Sequence, residues 1–138
     1  MNNMPKKLRE ECARDPEYQT CMRNAVLHDH ECMPNPMTGR MIEWEHAMIY
    51  AHNQMQKKWC IVSLCWWVHS GPDMVKEINI WLALSRATTK EILEISKARD
   101  YFRYLHYLNS KYGQYEQYKK ESAFASTNGI NYERVLTV

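Results

Sequence analysis

From Arg40 to Tyr50 apolar and polar side chains alternate. Ile42, Trp44, His46, Met48 and Tyr50 share one side, and Met41, Glu43, Glu45, Ala47 and Ile49 the other. A period of two is that of a strand. Ala51 to Lys58 is polar and reads as a loop. Trp59-Cys60-Ile61-Val62-Ser63-Leu64 is apolar and rich in β-branched residues, which predicts a second strand pairing with the first. Cys65 to Ser70 predicts a short helix, stopped by Gly71-Pro72.

Beyond this hairpin the period becomes helical. Asp73 is placed to cap a helix whose inner face carries Met74, Ile78, Trp81 and Leu82, and Ser85-Arg86-Ala87 interrupts it. Thr88 and Glu91 have the spacing of a capping box. Ile92, Ile95, Ala98, Phe102, Leu105, Leu108 and Tyr112 then keep the helical period through the longest helix, with Gly113 as its stop. A weaker helix is expected from Gln114 to Ala125, then a turn at Ser126-Thr127-Asn128-Gly129.

The N-terminal part is less regular. Residues 1–14 are polar and charged; they read as a frayed or helical arm, or as an arm lying along a phosphate backbone. Asp15-Pro16-Glu17 is a helix start, and that helix should end between Cys21 and Asn24. Residues 25–40 read as irregular, with a turn cluster from Met33 to Gly39. The expected fold is α+β in one domain over residues 1–138: a core over about 18–72 and a helical part over about 73–125.

Composition narrows the class. A formal charge of +2 is too small to announce nucleic acid, so any basic surface must be local. The five cysteines, Cys12, Cys21, Cys32, Cys60 and Cys65, are odd in number, and Met1-Asn2-Asn3 leads into a charged stretch without an apolar signal segment. Reduced thiols and a cytoplasmic setting are the expectation. Even Trp59 to Val68 is only of strand length, so no membrane span is expected.

Chemistry concentrates in two places. Glu45-His46 is an acid–histidine pair on the first strand, and His69 follows on the short helix. A metal-dependent phosphodiesterase needs such parts: a neutral histidine to take a proton from water, and a carboxylate and an imidazole to hold a divalent cation. Upstream, Cys21, His28, Asp29, His30 and Cys32 are crowded together. Lys97, Arg99, Arg103 and Lys111 form either a solvated helix face or a grip on phosphates. Trp44, Trp59, Trp66 and Trp67 suit core and hairpin packing better than base stacking. Tyr104, Tyr107, Tyr115 and Tyr118 are compatible with plain helix surface and with a homodimer contact. His52 and His106 have no distinctive context.

The order of strand with acid–histidine pair, strand, and short helix with histidine resembles the ββα-metal, or HNH, endonuclease family. Trp44-Glu45-His46-Ala47 and Leu64-Cys65 with His69 are similar to small phage-encoded HNH recombination endonucleases. The likeness extends through Lys76-Glu77-Ile78-Asn79 and Arg86-Ala87-Thr88 to Tyr107-Leu108-Asn109, covering about 18–113. It implies a DNA endonuclease with an HNH hairpin-helix core and additional C-terminal helices. His46 would be the general base, and Glu45 and His69 ligands of one Mg, Mn, Ni or Zn ion. Asp73 would be a further ligand, although Gly71-Pro72 intervenes.

Two positions depart from the family. Cys60 stands where the middle asparagine is usual, nine residues before His69, with Asn53 and Gln54 nearby. Many members hold a structural zinc on paired cysteines; here Val68 replaces one partner of Cys65, and Cys21, Cys32 and Cys65 with His28 or His30 would complete the set. The missing asparagine keeps a second reading open, a catalytically inactive zinc-stabilised module that binds DNA or a protein. A third is a structural phage interaction protein without metal at Glu45 and His69.

Overall fold

A computed structural model describes residues 4–50, 53–95 and 97–112. The N-terminal arm is a docked helix, α1 (Lys6–Arg14). Leu8 and Cys12, one turn apart, are buried in the core with Met4. The helix expected from Asp15 is a single 3₁₀ turn, Pro16–Gln19, capped by Asp15 Oδ1, which accepts from Glu17 N at 3.0 Å. Tyr18 explains the short run: its ring is buried and its hydroxyl donates to Lys58 O at 2.6 Å, which turns the chain inward. The chain restarts as α2 (Met22–Leu27), whose last three residues run into the stretch expected to be irregular from residue 25.

β1 (Ile42–His46) stops short of the predicted Tyr50. Ile49–Tyr50 (β2) instead pairs with Asn53–Gln54 (β3), in what the sequence suggests is loop. Lys58–Cys60 is a 3₁₀ turn, so the next strand, β4 (Ile61–Cys65), begins two residues after the predicted Trp59. β1 and β4 are antiparallel, with Ile42 opposite Cys65, Glu43 opposite Leu64, Trp44 opposite Ser63, Glu45 opposite Val62 and His46 opposite Ile61.

This register divides the ribbon into two faces. Trp44 Nε1 donates to Tyr18 O at 2.8 Å, and Ser63 Oγ donates to Thr20 O at 2.6 Å, so their face packs on the N-terminal elements. Glu43, Glu45, Val62 and Leu64 belong to the other face. Helix α3 (Trp66–His69) follows β4 without a break.

α4 (Lys76–Arg86) is not capped by Asp73. The Asp73 carboxylate is taken by Trp67, whose indole N–H donates to it at 2.7 Å, and Val75 stands at the uncapped N-terminus. Met74, expected on the inner face, is exposed. The capping box at Thr88 is complete: Thr88 Oγ1 accepts from Glu91 N at 3.1 Å, and Glu91 Oε1 accepts from Thr88 N at 2.9 Å. It opens a short α5 (Thr89–Leu93), and α6 (Ala98–Tyr112) is separate from it, so the single long helix expected here is two. Phe102, Leu105 and Leu108 of α6 are buried with Trp81 and Leu82 of α4. Trp81 Nε1 donates to Asn109 Oδ1 at 3.1 Å across that contact.

The described residues thus form a mixed α+β arrangement, with two small antiparallel sheets and several helices. No helix among them is long and apolar enough to cross a membrane. The expectations for His52, Gly113, Tyr115, Tyr118, the helix Gln114 to Ala125 and the turn after it lie outside the described residues.

Candidate metal centre and an acid–imidazole face

Cys21, His30, Cys32 and Cys65 converge, with one ligand atom of each within 4.8 Å of the others. Three segments supply them. Cys21 is the residue before α2, Cys65 ends β4, and His30 and Cys32 lie on the loop between α2 and β1. The loop is aimed by His28, which ends α2 in the left-handed conformation (φ 50) and donates its N–H to Asn24 O. His28 itself is exposed. His30 is therefore the histidine that joins the three cysteines.

The spacing suits a tetrahedral ion. Zn–S and Zn–N bonds of about 2.3 and 2.0–2.1 Å imply S···N edges of about 3.6 Å. His30 Nε2 lies 3.6 Å from the Cys21 sulfur, 3.8 Å from that of Cys32 and 3.3 Å from that of Cys65. Three sulfurs and one imidazole are the donor set of a closed structural zinc site. These residues could hold a structural metal such as zinc.

The thiols fit that use electrostatically. Burial raises the Cys32 pKa to about 12, helped by the neighbouring Cys21 and Cys65. Burial also raises Cys21. At Cys65 burial acts upward too, but hydrogen bonds from the backbone of Met33 and Val68 and from His30 and Cys32 offset it, and the thiol falls below its ordinary value. Three adjoining thiolates repel one another, and a dication relieves that repulsion. Cys12 and Cys60 are different: both are fully buried away from the cluster, and burial pushes them up to about 11 and about 12.

The second site lies on the opposite face of the hairpin. Glu43 Oε1 is 2.9 Å from His69 Nδ1, and Glu43 Oε2 accepts from Asn35 Nδ2 at 3.0 Å. Both oxygens of Glu43 are occupied. Burial acts to raise its pKa, but His69 and Asn35 hold it below the ordinary value. Glu45 shares this face. Its Oε1 is 3.3 Å from Lys76 Nζ, and its Oε2 is buried without a hydrogen-bond partner among the described residues. A buried orphan oxygen carries a desolvation cost that a cation or a water would relieve.

His46 is not beside these groups. It is one residue on from Glu45, so strand alternation turns it to the opposite face. It is buried, with Nε2 3.0 Å from Gln56 Oε1. Asp73 is committed to Trp67. Cys60 is core, and its carbonyl accepts from Ala47 N just past β1. Among the described residues only Cys21, His30, Cys32 and Cys65 bring three or more metal-ligating side chains to coordination spacing. Lys97, just before α6, and Arg103 on it are exposed, and Lys111 is paired with Glu77 at 2.7 Å. Tyr104 and Tyr107 stack on each other at 6.2 Å along the same helix.

Sequence reasoning passed over Glu43. The signal was present, since the alternation that separates Glu45 from His46 also places Glu43 with Glu45. Comparison with protein-family models, with curated proteins and with solved structures finds no match in any of the three.

Proposed function

We propose that the chain hydrolyses DNA phosphodiester bonds, in the manner of the HNH endonucleases it resembles. The observation that carries this reading is the hairpin β1–β4 running directly into α3. It gathers the strand acids Glu43 and Glu45 and the helix imidazole His69 on one face. Glu43 holds Nδ1 of His69, which directs Nε2 outward as a ligand atom; carboxylates commonly orient metal-binding histidines in this way. Glu45 contributes its unpartnered Oε2. A divalent cation there would neutralise the scissile phosphate and the departing 3′ oxygen.

His46 is the base in this reading. It stands at the end of β1, where regular pairing stops, and to reach water on the acid face it must both release Gln56 and turn across the end of the strand. The Cys3His centre is its structural counterpart, fixing Cys65 at the start of the helix that carries His69.

A second reading is favoured by the orientation of His46. A zinc-stabilised module without a catalytic step, binding DNA or a protein, needs no base beside Glu45 and His69. Plasmid nicking across metal concentrations separates the two. A nuclease loses about 10²–10⁴-fold in rate on His46→Ala at saturating metal. His69→Ala and Glu45→Ala are partly rescued by excess metal. DNA binding without nicking by the wild type, under any divalent metal, selects the module.

A further inference from the structure

The Cys3His centre has a second layer that reaches across the fold. Asp29 Oδ1 is 2.7 Å from His30 Nδ1, the ring nitrogen turned away from the sulfurs. Asp29 Oδ2 accepts two bonds from Arg23, from Nε at 3.0 Å and from a terminal nitrogen at 2.8 Å. The other terminal nitrogen of Arg23 donates to Asp73 O at 2.7 Å. The Arg23 side chain is only 8% exposed, so this guanidinium sits in the fold and is satisfied there on both sides. Asp73, in turn, holds the indole of Trp67, two residues before the end of α3.

We infer that Asp29, locked by Arg23, positions His30 as a metal ligand, and that the same guanidinium ties the metal centre to the turn following the His69 helix. An imidazole offers a lone pair at only one nitrogen when neutral. With the Nδ1 proton donated to Asp29, the lone pair is at Nε2, which faces Cys21, Cys32 and Cys65 at 3.3–3.8 Å. Without Asp29 either tautomer is available, and the ring is free to rotate away from the sulfurs. The fork of Arg23 keeps the carboxylate from following the ring. Arg23 and Asp73 are 50 residues apart in sequence, so their bond closes a long loop around the centre. This arrangement does not depend on the nuclease reading.

The test uses the full chain loaded with zinc or with cobalt. Asp29→Ala should weaken zinc affinity about 10–100-fold, measured by competition with a chromophoric chelator. Asp29→Asn, which keeps an acceptor oxygen but not the charge, should fall between it and the wild type. The visible spectrum of the cobalt form should shift in Asp29→Ala, because the imidazole no longer holds its orientation. Glu31→Ala, an exposed neighbouring acid, should leave both readouts unchanged. In the zinc-loaded protein, the Trp67 indole N–H resonance should move in Asp29→Ala and in Arg23→Lys, but not in Glu31→Ala.

Wild-type affinity and spectrum in Asp29→Ala would overturn the positioning role. If that variant does not fold, nitrogen NMR of the zinc-loaded wild type decides: Nδ1 of His30 must carry the proton and Nε2 the metal, and the reverse overturns the inference. A Trp67 resonance indifferent to Asp29 and Arg23 overturns the link to the turn.

Discussion

Asp15 performs two tasks with one carboxylate. It caps the 3₁₀ turn by accepting from Glu17 N, and it pairs with Lys58 Nζ at 2.8 Å, holding the N-terminal arm against the turn before β4. The hydrogen bond from Lys58 is the main cause that lowers its pKa; burial opposes it, and the Glu17 N–H assists. A carboxyl depressed in the folded state binds its proton more readily when unfolded. Its contribution is therefore present above the unfolded value of about 3.9 and lost as pH falls through the lower folded value. Asp15→Asn should lower the melting temperature at neutral pH, and the gap to wild type should close below about pH 4. A gap constant down to pH 2 would show that the ion pair adds nothing. The same scale marks the limit of sequence reading. Crowded Cys21, His30, Cys32 and the Leu64-Cys65 step were legible as ligand candidates. What decides for His30 over His28 in the fold is a single left-handed residue, His28 itself. Asp29 was visible only as one of the crowded group, not as the partner of His30, and Arg23 gave no signal, since it finds Asp73 only after the chain has folded.

Among the elements, the hairpin and its helix were legible and the breaks between helices were not. β1 and β4 announce themselves by alternation and β-branching, and Thr88 with Glu91 announces α5. The interruption between Leu93 and Ala98 has neither glycine nor proline to mark it; Ile92 and Phe102 keep the apolar period across it. The short α3 depends on Gly71. A methyl group there would lie 2.8 Å from Trp67 O and 2.9 Å from Trp67 Cα, both backbone atoms that cannot step aside singly. Gly71 N also donates to Trp66 O at 2.9 Å, so the glycine is folded back on the helix. Gly71→Ala should cost about 1–3 kcal/mol by overpacking, read from denaturant midpoints, and should shift the His69 ring resonances. Gly39→Ala is the comparison. That glycine has a positive φ of 74 but open space around it, so only the left-handed backbone penalty of about 1–2 kcal/mol is at stake, without an effect on His69. Equal losses at the two sites would show that the contact with Trp67 does not matter.

At the scale of the molecule, charge and metal make separate predictions. If the chain binds DNA as proposed, its net charge of +2 leaves that affinity to a few local cations. The salt dependence of binding should then be shallow, about −0.9 in log–log slope per phosphate contact. Lys97→Ala and Arg103→Ala should each reduce it by about 1, measured by fluorescence anisotropy between low and physiological salt. Lys111→Ala should reduce it less, because Lys111 is held by Glu77. A slope unchanged in all three would move the nucleic-acid contact away from α6 and the residue before it.

Metal removal probes how the whole structure is held. The ligands join the start of α2, the loop before β1 and the end of β4, whereas α4 and α6 are held together by apolar burial and by the Trp81–Asn109 and Glu77–Lys111 contacts, none of which involves the metal ligands. Losing the ion should therefore open one side of the hairpin first. Thiols report this, because only the thiolate reacts and burial suppresses it. Cys12 and Cys60, pushed up to about 11 and about 12 in the core, should stay slow as long as that core persists. A bound ion would shield Cys21, Cys32 and Cys65, and these should become reactive when it leaves, because opening that side of the hairpin removes the burial that holds the pKa of Cys21 and Cys32 up. Brief alkylation followed by mass mapping, before and after chelation, should label these three and spare the other two, with a lower melting temperature after chelation. Labelling of all five at once would mean that the ion holds the entire fold. An identical pattern with and without chelator would mean that no metal occupies the centre.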